Sequence, residues 1–456
     1  AGTLGLVLNA VDSPRADDPG ALTAAELRAD RRQAAPRNRL FNAGEALTQQ
    51  TLGATWTGAA SAQREWRLRG WAVQRDFENL LPFDINSNGQ GGAVDLDRDF
   101  HGIGVAHAWL PPAVAGAHRV VLGMDHELQR DRRRRFANDE GARGMLTTDQ
   151  DEDVTATGVY LQDEWTPADA WRLTLGLRWD RVEFEVTDRT GLGGSGAVTF
   201  EEWSPLLGVN RALGDGLHAY ANVARSFDTP TTTELANPDG PTGFNQRLDA
   251  QTATNYELGL KSRRETLRWE LALFHIDVED VLVPFEQAGS GQVFFENAGR
   301  STRDGVEAAF EWSPHAQWTV SGALTWSDFR FDRFRDESGA RFDGNEEPGI
   351  PRWNAWFGLR WEPLDSLELA LDHRWVGAFF ADNANRVKTD DYGITDLRGS
   401  WRFESGEWAL TPHAGVNNLL DEQYNDNVRL NASFGRFFEP APERNAYAGV
   451  TLERQF

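Results

Sequence analysis

The histidines and acidic residues of this 456-residue chain are the first candidates for chemistry, but their spacing fits no catalytic motif. His126-Glu127 lacks the second histidine that a zinc-protease helix needs four residues after the first. Gly193-Gly-Ser-Gly196 lacks the spacing of a nucleophile elbow and is interpreted as a flexible loop. Cysteine is absent, which excludes thiolate metal sites and cysteine catalysis. We therefore expect neither an enzyme nor a resident metal or cofactor.

Three alternating aspartates, Asp95, Asp97 and Asp99, look like the beginning of a calcium-binding loop. That loop needs a glycine at its sixth position and a glutamate at its twelfth. Phe100 and Ala106 stand at those two positions. The aspartates are therefore interpreted as an acidic strand face or an outer rim.

The composition is acidic and rich in large rings. The chain has 70 acidic and 46 basic side chains, and a formal charge of −24 would repel the phosphates of nucleic acids. No stretch approaches the ~20 apolar residues that a membrane-spanning helix needs. The 18 tryptophans and 26 phenylalanines suit a membrane interface better than the surface of a soluble protein.

Apolar and polar residues alternate with period two along most of the chain, as in strands with two different faces. In segments 171–179, 318–326 and 353–361 the apolar face has a tryptophan at each end. At ~3.3 Å per residue and a ~40° tilt, such a band spans about 20 Å of membrane thickness. The rings predicted to form the two membrane girdles are Trp171, Trp179, Trp318, Trp326, Trp353, Trp361, Trp375 and Phe456.

This pattern predicts an all-β fold, a transmembrane antiparallel up-and-down barrel with about 18 strands. Short connections alternate with long ones, which predicts periplasmic turns on one side and extracellular loops on the other. Segments 17–46, 131–152, 229–251 and 420–443 are expected outside the cell. A soluble sandwich also alternates, but its strands are typically ~5–6 residues long, whereas these run to ten or more.

Two features are expected within the long loops. Thr23 and Glu26 have the spacing of a capping box and predict a short helix. The run Arg132–Arg135 is expected to begin a long exterior loop. Its guanidinium groups suit the phosphates of lipopolysaccharide or an anionic ligand, and a simple solvated loop end is the alternative.

Several motifs occur in the order found in one known family. They are Val159-Tyr-Leu-Gln-Asp-Glu-Trp165, Ala224-Arg-Ser-Phe-Asp-Thr-Pro230, Tyr256-Glu-Leu-Gly-Leu-Lys261, Gly415-Val-Asn-Asn-Leu-Leu-Asp-Glu-Gln-Tyr424 and Phe438-Glu-Pro-Ala-Pro-Glu-Arg-Asn445, followed by the terminal Phe456. Together they resemble the mid-barrel hairpins and the closing segment of TonB-dependent outer-membrane receptors. The resemblance covers 155–456 well and the first 150 residues loosely.

The resemblance implies a barrel of about 22 strands closed by an N-terminal plug domain. Here about 18 strands are counted, and neither a plug nor a TonB box is recognised. The first segment, Leu4-Gly-Leu-Val-Leu8, already reads as a strand. Residues 1–456 are therefore expected to be the barrel domain alone, truncated inside the barrel at the N-terminal side.

The resemblance implies import of a scarce ligand, most often a ferric siderophore or another iron chelate, across the outer membrane of a Gram-negative bacterium. Its implied partners are the TonB complex through the plug region, lipopolysaccharide and outer-membrane lipid, and the barrel-assembly machinery. A passive porin is the alternative, and it would need a loop that folds inward and constricts the barrel. A barrel enzyme would need a Ser/His/Asp or Asp/His group at the barrel mouth, and none is found.

Members of this family bind their cargo at the extracellular loops and the upper lumen, so the aromatic and arginine-rich loop segments are the candidate site. Rings and guanidinium groups together suit a planar anionic chelate. Packing of loop against loop is the alternative role of these rings. The candidate ligand-binding residues are Phe244, Arg247, Phe331, Arg333, Arg335, Tyr424, Arg436, Phe437 and Phe438.

Overall fold

The structure is a computed structural model that describes residues 2–112, 115–286, 292–336 and 338–454. Strands dominate it. They are β1 (Gly2–Asp17), β2 (Gly44–Ser61), β3 (Arg64–Ile85), β4 (Gly91–Trp109), β5 (Ala117–Asp139), β6 (Ala142–Ala168), β7 (Trp171–Asp188), β8 (Gly196–Gly214), β9 (Leu217–Asp228), β10 (Gln251–Arg263), β11 (Leu267–Glu286), β12 (Val293–His315), β13 (Trp318–Arg333), β14 (Trp353–Leu364), β15 (Leu367–Val376), β16 (Tyr392–Trp401), β17 (Phe403–Ser405), β18 (Trp408–Asn417), β19 (Asn425–Val428), β20 (Phe438–Pro440) and β21 (Asn445–Arg454).

The helices are short and lie in two loops. They are α1 (Ala24–Ala29), α2 (Pro36–Leu40) and a 3-10 turn, Ser433–Gly435. The capping box predicted for α1 is confirmed, because the Thr23 hydroxyl accepts from the Glu26 N–H and the Glu26 carboxylate accepts from the Thr23 N–H. No helix in the described part of the chain has the length and apolar character needed to cross a membrane.

One large antiparallel sheet contains all strands except the β19–β20 hairpin, which lies in the last loop. Segments β16 and β17 flank Arg402 and both pair with β18, so the nineteen segments of the sheet form eighteen consecutive strands. The predicted barrel-type fold and its strand number are confirmed. Within the described residues β1 pairs only with β2, and β21 only with β18, so these two strands are the edges of the sheet.

The outward face carries an apolar band because the strands alternate as the sequence predicts. On β7 and β8, Leu175 and Leu207 lie opposite each other and both point outward. Neighbouring strands expose leucines in the same way. The outward-facing, exposed leucines of the middle strands are Leu122, Leu161, Leu177, Leu258, Leu271 and Leu273.

Tryptophan pairs lie across neighbouring strands at both ends of this band. Trp318 stacks on Trp361 with ring centroids 5.3 Å apart, and eight residues along β13 Trp326 faces Trp353 at 6.5 Å. On β7, Trp179 lies opposite Trp203, and the Arg211 guanidinium lies 4.9 Å from the ring centroid of Trp171. The indole of Trp375 donates to Asp391. The girdle assignment of these rings stays a prediction, and Phe456 lies outside the described residues.

The segment predicted as the loop 131–152 is strand instead. β5 continues to Asp139 and β6 begins at Ala142, so the outer connection of this hairpin has only two residues, Glu140 and Gly141. Strict alternation of connection length is therefore wrong at this point, because both strands continue beyond the apolar band. The run Arg132–Arg135 lies within β5 rather than at the start of a loop.

The outward face of this extension carries a charge ladder, a column of Arg130, Arg132 and Arg134 between two columns of aspartates. In the sheet register each arginine lies opposite one aspartate of β4 and one of β6, namely Asp99 and Asp153, Asp97 and Asp151, and Asp95 and Asp149. Ion pairs join the columns, at 3.0 Å from Arg134 to Asp97 and 3.2 Å from Arg132 to Asp149. The Asp95–Asp99 trio is thus an acidic strand face, and its arginine neighbours already have carboxylate partners.

The first and last loops meet at the loop end of the sheet. Leu22 is fully buried and exchanges two backbone hydrogen bonds with Phe438, of 2.8 and 3.1 Å. Arg436 pairs with Glu26 at 2.9 Å and Arg429 with Asp18 at 3.3 Å. We call these two segments, 18–43 and 418–444, the loop clasp. They join the loop ends of the two edge strands, which do not pair with each other within the described residues.

Candidate ligand-binding site

Five aromatic residues were predicted to contact the ligand, and the four phenylalanines among them are buried. Phe244 packs on Phe184 in a cluster with Leu235 and Leu248. Phe331 packs beside Phe334, with ring centroids 4.9 Å apart, in a second cluster.

Phe437 and Phe438 form a third cluster around Ala381. Tyr424 is half-buried and lies 4.7 Å from the ring of Tyr392. The four phenylalanines therefore lie in three separate clusters and Tyr424 lies beside Tyr392, so the structure does not bring the five rings together into one pocket.

The four predicted arginines are more accessible. Arg247 pairs with Asp239 at 2.8 Å, and both side chains are mostly exposed. Arg436 is held in the loop clasp by Glu26. Arg333 and Arg335 are exposed at the end of β13 and just beyond it. A ligand role for this set of residues stays a prediction.

A cavity of about 370 Å³ lies elsewhere, on the inner wall at the loop end of β3 to β6. The inward-facing residues of these strands alternate with the outward-facing ones, so Phe77, Leu96, Arg133, Arg135 and Gln150 line the same space. We call it the upper-lumen cavity. Sequence reasoning missed it because Arg132–Arg135 was assigned to a loop. Continued alternation through the arginine run was the signal that could have revealed it.

The loop 229–250 forms the roof of the upper-lumen cavity. Its backbone is tied to inward-facing side chains: the Gln90 amide donates to the carbonyls of Asn237 and Gly240 at 3.0 and 2.9 Å, and the Gly243 N–H donates to Gln150 at 3.0 Å. Its apolar side chains pack on inward-facing residues of β7 and β8, such as Phe184. The loop therefore folds into the mouth of the barrel rather than away from it.

Buried charges hold the wall of the cavity. Glu152 is 1% exposed and accepts two hydrogen bonds from Arg133, at 2.7 and 3.1 Å, and a third from Gln150 at 2.7 Å. A carboxylate so fully buried is tolerated because its oxygens are paired. No cluster of three or more histidine, aspartate or glutamate side chains in the described ranges could hold a bare metal ion.

An eighteen-strand antiparallel sheet with a lipid-facing band and a polar cavity inside its mouth defines a transmembrane barrel of the outer-membrane type. The chain belongs to the TonB-dependent receptor-like β-barrel family, whose model matches residues 2–419. The family places the protein in the outer membrane of a Gram-negative bacterium. The predicted family and location are confirmed.

The sequence is similar to curated receptors of this family. It is 26% identical over 283 residues to the ferric enterobactin receptor of Pseudomonas aeruginosa, covering 55% of this chain and 35% of that protein. It is 24% identical over 385 residues to the ferrioxamine receptor of Yersinia enterocolitica, covering 78% of this chain and 50% of that protein. The chain thus spans half or less of the length of these relatives.

Solved structures share the fold over nearly the whole chain. The ferric citrate transporter FecA in its unliganded form matches 99% of this chain and 68% of its own, with a TM-score of 0.80 and 18% identity. The siderophore receptor PiuA from Acinetobacter baumannii matches 99% of this chain and 72% of its own, with a TM-score of 0.77 and 16% identity. At these identities the likeness concerns the fold.

Proposed function

We propose that this barrel is the membrane-spanning part of an active-transport receptor that binds an iron chelate on the extracellular side and admits it to the periplasm with energy supplied through TonB. Membership of a receptor barrel family over residues 2–419 carries the proposal. Relatives named as receptors for ferric enterobactin and ferrioxamine support the class of cargo. The upper-lumen cavity, which the roof loop covers, supplies a place for the cargo to bind. The protein acts by binding and gated translocation, without catalysis.

Residues 1–456 act as the barrel domain in this proposal, and the gate and the TonB contact belong to a plug outside them. The strands, their connections and the loop clusters account for the described residues without a separate globular unit inside the barrel. Lipopolysaccharide, outer-membrane lipid and the barrel-assembly machinery are the remaining proposed partners.

Equilibrium binding tests the receptor function directly. The purified chain, folded in detergent micelles, is titrated with ferric citrate, ferrichrome and ferric enterobactin, and with each ligand free of iron. We expect saturable binding of at least one ferric chelate and weaker binding of the matching iron-free ligand. A folded chain that binds none of the three chelates would contradict the proposed function.

A passive porin is the second candidate, because the roof loop 229–250 folds inward as a constricting loop would. Planar bilayer recordings separate the two functions. The receptor barrel alone should give a large unselective conductance or no stable insertion, since barrels of 16–18 strands enclose an aqueous channel. Uniform conductance steps that ferric chelates leave unchanged would favour the porin.

A further inference from the structure

Three arginines are among the described residues that line the upper-lumen cavity, and Arg135 is the one that forms no ion pair with a carboxylate. Its side chain points inward from β5 and the residue is 7% exposed. Its Nε donates to the Gly91 carbonyl at 2.9 Å and its Nη1 to the Gln90 side-chain oxygen at 2.7 Å. A guanidinium has five N–H donors, so three of them lack a hydrogen-bond partner among the described residues.

The other two arginines of the cavity are neutralised. Arg133 makes its paired hydrogen bonds to Glu152, and Arg429 reaches both Glu439 at 2.6 Å and Asp18 at 3.3 Å. Neutral oxygens are the only acceptors that Arg135 reaches in the described structure. Glu152 is close enough to act on Arg135 through space, but its oxygens accept the hydrogen bonds of Arg133. Because a buried charge without a paired counter-charge is costly, an anion that enters the cavity gains most at Arg135.

The surroundings hold this guanidinium in place before any ligand arrives. Gly91 and Gly92 let β4 come close to its neighbours, since a Cβ at Gly91 would lie 2.1 Å from the Phe136 carbonyl oxygen. Gln90, which accepts from Arg135, is itself fixed by the roof loop and by the amide of Gln292. Fixed donors bind an anion with little loss of conformational freedom.

The rest of the cavity wall suits a small ligand rich in hydroxyl and carbonyl groups. Amides and hydroxyls dominate its polar lining, including Asn79, Thr148, Gln150 and Asn237. Phe77 is the one aromatic residue among its described lining residues. A volume of about 370 Å³ lies at the small end of the ~300–1,000 Å³ range of ligand pockets.

We propose that Arg135 binds one carboxylate of the cargo, and that the cargo is a hydroxycarboxylate chelate rather than a catecholate. One uncompensated guanidinium matches one carboxylate, and the surrounding amides match hydroxyl groups. A tricatecholate would bring three aromatic rings to a wall whose described lining has one ring, Phe77. The inference rests on the proposed receptor function and names its substrate class.

The test is titration of the folded chain in detergent with ferric citrate, ferrichrome and ferric enterobactin as probes. Charge-assisted hydrogen bonds are typically worth enough to change affinity by about 10- to 100-fold. We expect ferric citrate to bind the unaltered chain and to lose affinity by that factor in Arg135→Gln. Arg135→Lys, which keeps the charge, should lose less.

Further variants separate the charge effect from structural disturbance. Gln90→Glu keeps Arg135 but sets a carboxylate against it, and it also removes the amide that donates to the roof loop. It should therefore weaken ferric citrate binding more than Gln90→Leu, which removes the same amide without adding a charge. Arg132→Gln removes an arginine from the outward face of the same strand and should leave binding unchanged. A heat-dependent shift in gel mobility verifies that each variant is folded.

The possible results separate the two proposals. Ferric citrate binding that Arg135→Gln does not weaken, and that Gln90→Glu weakens no more than Gln90→Leu, would overturn the role of Arg135. Binding of ferrichrome or ferric enterobactin without ferric citrate would overturn the substrate class and leave the receptor function standing. Failure of all three probes on a folded chain would overturn the receptor function itself.

Discussion

Leu207→Arg tests the assignment of the lipid-facing side. Leu207 points outward from β8 and is 47% exposed. Its cross-strand neighbours are Leu175 and Val223, so no polar group lies directly beside it in the sheet register. The same substitution at Leu175 would be harder to interpret, because Leu175 lies opposite Asp163 on β6 and that carboxylate would neutralise the new arginine.

The magnitude follows from the depth of the site. Leu207 is four residues from Trp203 and four from Arg211, which lies over Trp171, a ring predicted to belong to the membrane girdle. At ~3.3 Å per residue and a ~40° tilt, each interface is about 10 Å away. An arginine at the midplane of a barrel's lipid face costs about 2–4 kcal/mol. The folding equilibrium in lipid should therefore fall by roughly 30- to 700-fold.

The assay is a urea titration of folding into phosphatidylcholine vesicles, with the folded fraction measured by gel mobility of unheated samples. Thr174→Arg is the matched control, because Thr174 points into the lumen opposite Glu164 and Gly208. A new guanidinium there meets water and a carboxylate, so we expect little loss of stability. Equal losses in the two variants would refute the assignment of faces.

Two other predictions concern the loop end. An epitope inserted at Gly193, which has a positive φ and no atom within 4 Å of an added Cβ, should be labelled on intact cells, and one at Gly406 should not; the reverse labelling would invert the orientation. The loop clasp should also loosen in acid. The hydrogen bond from the Thr23 backbone N–H is the main reason that the pKa of the Glu26 carboxyl lies below its usual value, and the nearby Arg436 lowers this pKa further. A carboxylate whose pKa is lowered by folding stabilises above the unfolded pKa, and that contribution is lost as the pH falls through the folded pKa. Spin labels on cysteines at Ala25 and Phe434 should therefore show a broader distance distribution below about pH 4 than at pH 7, and an unchanged distribution would contradict the role of Glu26.

The sequence predicted the strands well because lipid imposes a strict contrast between faces. In 171–179 and 318–326 the apolar face must contact lipid, so period two is visible in every second residue. The α1 helix was predictable for a different reason, since its capping box is complete within four residues, Thr23 to Glu26. Both signals are local.

The loop end was predicted less well because its contacts are distant in sequence. The β5–β6 hairpin continues into water, where both faces are polar, and the contrast that marked the strands disappears. The roof loop is positioned by contacts such as Gly243 to Gln150, which are 93 residues apart. The cavity around Arg135 depends on both features, and hence composition and spacing alone could not place it.

The charge ladder has a consequence for how the β4–β5–β6 strands find their alignment. A strand whose two faces are both polar can slide past its neighbour, because hydrophobic patterning no longer penalises the wrong alignment. In the ladder a slip of one residue turns the arginine column away from the aspartates. A slip of β5 by two residues against β4 or β6 leaves one of the three arginines without an aspartate opposite it on that neighbouring strand. Each opposite-charge pair is worth about 0.2–1 kcal/mol. The ladder therefore favours one strand alignment in the part of the barrel beyond the apolar band, where contact with lipid favours none.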